Sequence, residues 1–331
     1  MNFRLLLCAL LCLSLFSPAS SFADYESWLT GFRGKALAEG IRAELFDRVF
    51  KDIVVQPRVI EQDRNQPSRV YTFVEYRDRL LSPLRIERTI AAFNDHRELL
   101  EQVSGRYGVE PEILVALWSI ESDLGRFTGR YPLFASLATL AFEGRRGPFF
   151  EKELLSALKI ISLRLTPEEN LMSSWAGAMG QVQFMPSTFL GYAEDFDGDG
   201  FKDIWKNDGD ALASAANYLA ASGWEKAQGW AVEVLLTEKP DPNLMGLEIS
   251  RPVKFWKERG VAPGTPGALP AHGSASLILP DGEEGPAYLV FDNFRVIRKW
   301  NRSSSFALSV GRLADLVRAD AQRNTIETGG N

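Results

Sequence analysis

Both cysteines of the chain, Cys8 and Cys12, lie within its first 12 residues, so everything after them must fold without a thiol. That body of the chain has no disulfide, no thiolate zinc site and no cysteine nucleophile. Its stability must come from packing, and a metal, if held, must be held by harder donors. Histidine is scarce too: His96 lies in a helical pattern and His272 in a Gly/Pro-rich stretch. A histidine metal cluster is excluded and a Ser-His-Asp triad is disfavoured. The chemistry falls to carboxylates.

With 331 residues, the chain has material for about two domains. At 45% hydrophobic and 24% charged residues, its composition is that of a globular protein rather than a disordered chain. The net charge of -6 argues against a general nucleic-acid binder, which needs a basic face to neutralise phosphates.

Residues 1–23 stand apart. Arg4 precedes an apolar run from Leu5 to Phe16, and the small Ser21 and Ala23 sit at the -3 and -1 positions of a cleavage site. This pattern predicts a secretory signal peptide, with an uncleaved anchor as the alternative; the apolar run is short for a membrane span. Neither cysteine follows the small residues that lipid attachment requires, so no lipid anchor and no transmembrane span are expected in the mature protein.

The rest reads as mainly α (α+β). Apolar spacing is helical over 24–105, where Leu81-Ser82-Pro83 offers a cap and a first-turn proline. The clearest helix covers 109–123: Pro111 starts it, Glu110 and Glu112 complement its dipole, and Gly125 is expected to mark its end. Further helices are expected at 132–143, 149–165, 186–193, 210–222 and 305–319. Proline and glycine punctuation after Lys239, with short β-like runs at 276–279 and 287–291, predicts a small β-containing region over 236–320. Residues 321–331 are expected to form a flexible tail, frayed from Thr325 onward.

Glu121 lies four residues after Leu117 and three after Trp118, on their face of the helix, whereas Asp123 points away. Partial desolvation and the negative end of the helix dipole should both raise the Glu121 pKa. A carboxyl that keeps its proton near neutral pH is what protonation of a glycosidic oxygen requires. The alternative is a solvated glutamate at a helix end.

The small-residue stretch from Ala176 to Thr188 runs into a helix opened by Pro186. It allows close approach of a bulky ligand, to which Gln183 could offer an amide, or else it is a tight packing turn. Asp195, Asp197, Asp199 and Asp203 occupy positions 1, 3, 5 and 9 of an EF-hand-like loop, with Gly200 at 6 and the Phe201 carbonyl at 7. Lys206 replaces the glutamate at position 12, which leaves Asp208 or Asp210 to close a longer loop over 195–210. A structural Ca²⁺ fits this donor set; a solvated acidic turn is the alternative. Trp118, Trp175, Trp205, Trp224, Trp230, Trp256 and Trp300 offer faces on which sugar rings stack, although most are expected in the core.

Taken together, Trp118-Ser-Ile-Glu121-Ser-Asp-Leu-Gly-Arg126, Ala176-Gly-Ala-Met-Gly-Gln-Val-Gln-Phe-Met-Pro-Ser187, the loop from Asp195 to Trp205 and Ala216-Asn-Tyr218-Leu resemble the lytic murein transglycosylase B family in order and spacing. The resemblance runs over about residues 25 to 320. It implies a lysozyme-like catalytic core, over 106–235, embedded in a larger helical protein that acts on peptidoglycan glycan strands in the periplasm. By position it makes Glu121 the sole acid/base. It assigns Ser174, Gln183, Tyr76 and Tyr218 to the substrate groove, Arg145 and Arg146 to saccharide or peptide contacts, and Trp300-Asn301 to an aromatic-Asn motif returning to the site. Phe306 stands where a tyrosine is expected. Calcium is the implied cation, with Asp210 the final ligand, and no organic cofactor is implied.

The implied reaction is non-hydrolytic cleavage of the β-1,4 bond between N-acetylmuramic acid and N-acetylglucosamine, with Glu121 as acid and then base, giving a 1,6-anhydro product. A hydrolytic muramidase and a non-catalytic, calcium-stabilised glycan-binding protein are the competing readings. Cell-wall synthesis or remodelling proteins are conceivable partners on which the sequence is silent.

Overall fold

The structure, a computed structural model, describes residues 18–65, 71–264 and 269–329. Most of the expected signal peptide lies outside them. The chain runs α1 (Pro18–Ala38), α2 (Ala43–Phe50), α3 (Pro57–Arg64), α4 (Phe73–Leu80), α5 (Pro83–Asp95), α6 (Arg97–Tyr107) and α7 (Pro111–Ser122). After β1 (Tyr131–Pro132) come α8 (Leu133–Glu143), α9 (Gly147–Ser162), β2 (Met172–Ser173), α10 (Pro186–Tyr192) and α11 (Asp208–Ala221). The remainder is β3 (Ala231–Leu236), β4 (Arg251–Pro252), α12 (Val253–Lys257), β5 (Val261–Pro263), β6 (Ser274–Ile278), β7 (Ala287–Val290), α13 (Asp292–Trp300) and α14 (Ser304–Gly329).

Local sequence explains several boundaries. Ser82 Oγ accepts from the Arg85 amide and Pro83 opens α5, as the cap and proline predict. Thr72 and Glu75 form a reciprocal capping box on α4. Helix α7 stops at Ser122, earlier than Gly125: Asp123 and Leu124 already adopt left-handed φ values of 54° and 61°. That conformation is strained for a branched residue such as Leu124.

Two apolar clusters share one sheet. The five strands are ordered β4-β6-β7-β3-β5, and every pairing is antiparallel. Ile278, Tyr288 and Val290 face the large helical core, while Ala275, Leu277, Ala287 and Leu289 face a second cluster with Val253 and Trp256. Alternate residues thus serve opposite faces, so β7 reads as a continuous apolar run. Each fully buried large apolar side chain contributes roughly 1.5–3 kcal/mol relative to exposure. The long α14 packs on α4, α5, α7 and α13. It sits so close to Trp230 that a Cβ on Gly311 would lie 2.2 Å from the ring.

The mainly α reading with a small β region holds. Five strands escaped it: β1, β2, β3, which begins before the expected boundary at 236, β4 and β5. The expected tail is a continuation of α14 as far as Gly329. Among the described residues no helix is long and apolar enough to cross a membrane.

Candidate active site

The last turn of α7 carries Glu121 on the face of Leu117 and Trp118, both buried. Burial pushes its carboxyl up to about 7, against the opposing pull of a hydrogen bond from Trp300. Trp300 Nε1 donates to Glu121 Oε1 at 2.7 Å from the end of α13. Asp123, the nearest acid along the chain, instead accepts from Arg126 at 3.0 Å and Arg88 at 3.4 Å. Glu121 and Asp123 therefore do not form a facing acid pair.

Aromatic rings build one wall. Tyr218 meets Trp300 edge to face at 5.1 Å between centroids, Phe184 lies 5.3 Å from Trp300, and Tyr218 Oη donates to the Lys299 carbonyl at 2.8 Å. Burial, and secondly the Glu121 charge, raise the Tyr76 pKa, so the Tyr76 phenol is within electrostatic reach of the carboxyl. Of the tryptophans named from the sequence, only Trp175 and Trp300 are not buried, which narrows sugar stacking to these two.

Behind Glu121, Trp118 Nε1 donates to Gln181 Oε1 at 2.6 Å, and Gln181 Nε2 donates to Asp208 Oδ1 at 2.9 Å. Asp208 meets His96 Nε2 at 3.2 Å, and the His96 ring stands edge-on to Trp118. Arg85 donates to the Ser119 carbonyl, and Thr89 and Ser119 share a 2.7 Å hydroxyl contact. Sequence reasoning missed these positioning residues. Their one signal is that Thr89, Ser119 and Gln181 are polar residues in otherwise apolar surroundings.

The glycines serve the chain's own packing. A Cβ on Gly177 would meet Leu137 at 2.4 Å, and one on Gly180 would meet the Ile204 carbonyl at 2.6 Å. Ser174 Oγ accepts from the Ala176 and Ala178 amides, holding the same turn. Gln183 has φ 50° and donates to the Gly180 carbonyl at 2.7 Å. Gln183 shares its left-handed backbone with Asp123, Leu124, Arg164 and Ala227.

Arg145 and Arg146 converge elsewhere. Both bind Asp63, which is 2% exposed: Arg145 Nε at 2.7 Å from Oδ2 and Arg146 Nη2 at 2.6 Å from Oδ1. Burial works to raise the Asp63 pKa, but the two guanidinium hydrogen bonds win and hold it below the usual carboxylate range. Asn301 is exposed and accepts from the Ser303 amide at 3.0 Å, starting the turn into α14. Phe306 is buried, so a core ring occupies the position where a tyrosine was expected.

In the aspartate loop, oxygens of Asp195, Asp197 and Asp210 lie within 4.8 Å of one another. Burial, helped by the nearby charges of Asp197 and Asp195, pushes Asp210 up to about 6 despite two backbone amides donating to it. Three convergent carboxylates, one of them buried, suit a hard cation. Asp199 and Asp203 stand outside this trio. Asp199 accepts from the Phe201 amide, and Asp203 accepts from the Trp205 and Lys206 amides and from Asn170. Asn207 caps α11.

A family model described as Transglycosylase SLT domain matches residues 24–315. Membrane-bound lytic murein transglycosylase B of Escherichia coli (strain K12) is 34% identical over 247 residues, covering 74% of this chain and 67% of that protein. The crystal structure of SltB3 from Pseudomonas aeruginosa in complex with NAG-anhNAM-pentapeptide matches with TM-score 0.85 and 46% identity, over 89% of this chain and 79% of that one. The Escherichia coli lytic transglycosylase Slt35 in complex with calcium matches with TM-score 0.75 and 29% identity, over 88% and 93%. Spanning the helical body, the carboxyl-bearing α7 and the sheet alike, these matches show that the chain belongs to the lytic murein transglycosylase B family and is a peptidoglycan lytic transglycosylase, a lyase.

Proposed function

We propose that this enzyme cleaves the β-1,4 bond between N-acetylmuramic acid and N-acetylglucosamine without water, with Glu121 as its sole acid and base. The observation that carries the reading is the lone carboxyl of Glu121, lifted to about 7 by burial and fixed by the Trp300 indole. A proton held there near neutral pH is available to the leaving glycosidic oxygen. Asp123, the nearest acid along the chain, is committed to arginines and is not offered as a nucleophile, and in this reading the substrate's acetamido group eases the charge at the muramyl anomeric carbon. Glu121, then ionised, takes the proton of the C6 hydroxyl as the 1,6-anhydro ring closes. The anhNAM bound by the SltB3 relative is in keeping with this product.

In this reading Tyr76, Tyr218, Trp300 and Asn301 line the groove with Ser174 and Gln183. Exposed faces of Arg145 and Arg146 meet lactyl or peptide carboxylates while Asp63 orients them. Asp195, Asp197 and Asp210 hold a structural Ca²⁺, which supplies counter-charge to the loop and takes no part in bond cleavage; the calcium complex of Slt35 supports this. Asp199, the Phe201 carbonyl and Asp203 complete the proposed ligand set by rearranging around the ion. The site of action is the periplasm, reached through cleavage of residues 1–23.

The test is incubation of the purified protein with murein sacculi, with released muropeptides weighed by mass spectrometry. The expected products are lighter by one water than those of hydrolysis. Products carrying that water would make the protein a muramidase, and binding without release would make it a glycan-binding protein.

A further inference from the structure

We propose that Asp281, on the turn joining β6 to β7, is a positioning residue for the active site: it clamps the N-terminus of α4, the helix that carries Tyr76 of the proposed groove. The inference rests on the reading of Glu121 as the acid/base and adds a distant residue that acts on it.

The clamp is bidentate and reaches across more than 200 residues of sequence. Asp281 Oδ1 accepts from the Phe73 amide at 2.5 Å and Oδ2 from the Val74 amide at 3.0 Å. The next amide, that of Glu75, is already taken by Thr72 Oγ at 3.1 Å. The first three donors of α4 are therefore all satisfied, two of them by the sheet region. A carboxylate here also sits at the positive end of the helix dipole.

Helix α4 needs this help. It is eight residues long, too short to be stable on its own propensity. Phe73, 2% exposed, anchors the same end by meeting Tyr288 of β7 edge to face at 5.9 Å. The turn is built to present the carboxylate: Gly282 takes φ 78°, and a Cβ on Gly285 would lie 2.6 Å from that of Asp281. Tyr76 follows one turn later, its amide bonded to the Thr72 carbonyl at 2.9 Å. Whatever fixes Phe73 and Val74 therefore fixes the first turn of the helix on which Tyr76 stands. The five-stranded sheet gains a role beyond packing, because its β6–β7 turn sets one wall of the groove.

The experiment titrates the Glu121 carboxyl by carbon NMR in the full calcium-loaded protein, for wild type, Asp281→Ala, Asp281→Asn and Tyr76→Ala, with rates on sacculi measured over the same pH range. If Asp281 acts through Tyr76, Asp281→Ala admits water to Glu121 and lowers its midpoint by roughly half a unit or more. The alkaline limb of the rate profile moves down with it. Asp281→Asn, which keeps one acceptor, gives a smaller shift in the same direction and serves where the alanine variant does not fold. Adding Asp281→Ala to Tyr76→Ala produces no further shift. A lowered melting temperature with an unmoved midpoint, or shifts that add fully in the double variant, would overturn the proposal. The midpoint is read without turnover, so failure of the catalytic reading, seen as cleavage surviving Glu121→Gln, stays distinguishable.

Discussion

Trp300 donates its indole N–H to Glu121 across 179 residues of sequence, joining the end of α13 to the end of α7. An indole can only donate, so Oε1 is held as an acceptor and the exchangeable proton of the carboxyl is left to Oε2. The bond also favours the ionised form and opposes the burial that raises the pKa.

Replacing Trp300 by Phe removes that opposition. The Glu121 pKa should rise above about 7, carrying the alkaline limb of the pH–rate profile upward. The carboxylate formed on proton transfer also loses support, so kcat should fall roughly tenfold or more, as for loss of a hydrogen bond to a charged group. Rate profiles of the two proteins over pH 5 to 9 decide this; an unmoved or lowered limb would contradict it.

Glu121→Gln should reduce cleavage by about 10²–10⁴-fold, the span typical of general acid–base catalysis. The same change should stabilise the fold at alkaline pH. The folded-state pKa is raised, so between the ordinary carboxylate range and about 7 the folded protein binds more protons than the unfolded chain. Wild-type stability therefore declines as pH rises through that window, by about 3 kcal/mol. Glutamine has no charge to bury, so the two melting curves should converge near pH 4 and separate by pH 8. Equal separation at both pH values would be evidence against a desolvated carboxyl.

Calcium should raise the melting temperature, and more at pH 7 than at pH 5, because ligands must be ionised to bind. At a hundredfold excess over its dissociation constant, the gain is about 2.7 kcal/mol. Asp197→Ala and Asp210→Asn should each abolish the gain. A gain that persists in both variants would place the ion elsewhere.

Asp63 tests the arginine pair. Removing Arg145 or Arg146 alone leaves one guanidinium on a buried carboxylate, whereas removing both strands it. The double alanine variant should therefore cost more than the two single variants together, about 3 kcal/mol in all. Its lost stability belongs to neutral pH: the folded Asp63 pKa is lowered, so the contribution of the pair is present above the ordinary aspartate range and fades as pH falls through the folded value. Urea melts at pH 7 and pH 3 would check both statements, and strict additivity would argue against shared neutralisation.

What could be read from sequence was local. The desolvation of Glu121 follows from Leu117 and Trp118 one turn earlier, and the caps at Ser82 and Pro83 announce α5. The end of α7 was misplaced because glycine is the one residue whose left-handed backbone leaves a signature; Asp123 and Leu124 reach it first under tertiary constraint. The aspartate loop was legible as a set of oxygens. Its sorting was not, because backbone amides compete for Asp199 and Asp203 while Asp210 returns from the next helix. Strand β3 was hidden by Leu235, which is 61% exposed and breaks the expected alternation. The Trp300 and Asp281 contacts depend on distant chain segments and carry no local pattern.

The contact from α13 also makes the acid a property of the whole body of the chain. Glu121 and its indole partner stand 179 residues apart, so the carboxyl keeps that donor only while α7 and α13 remain docked together.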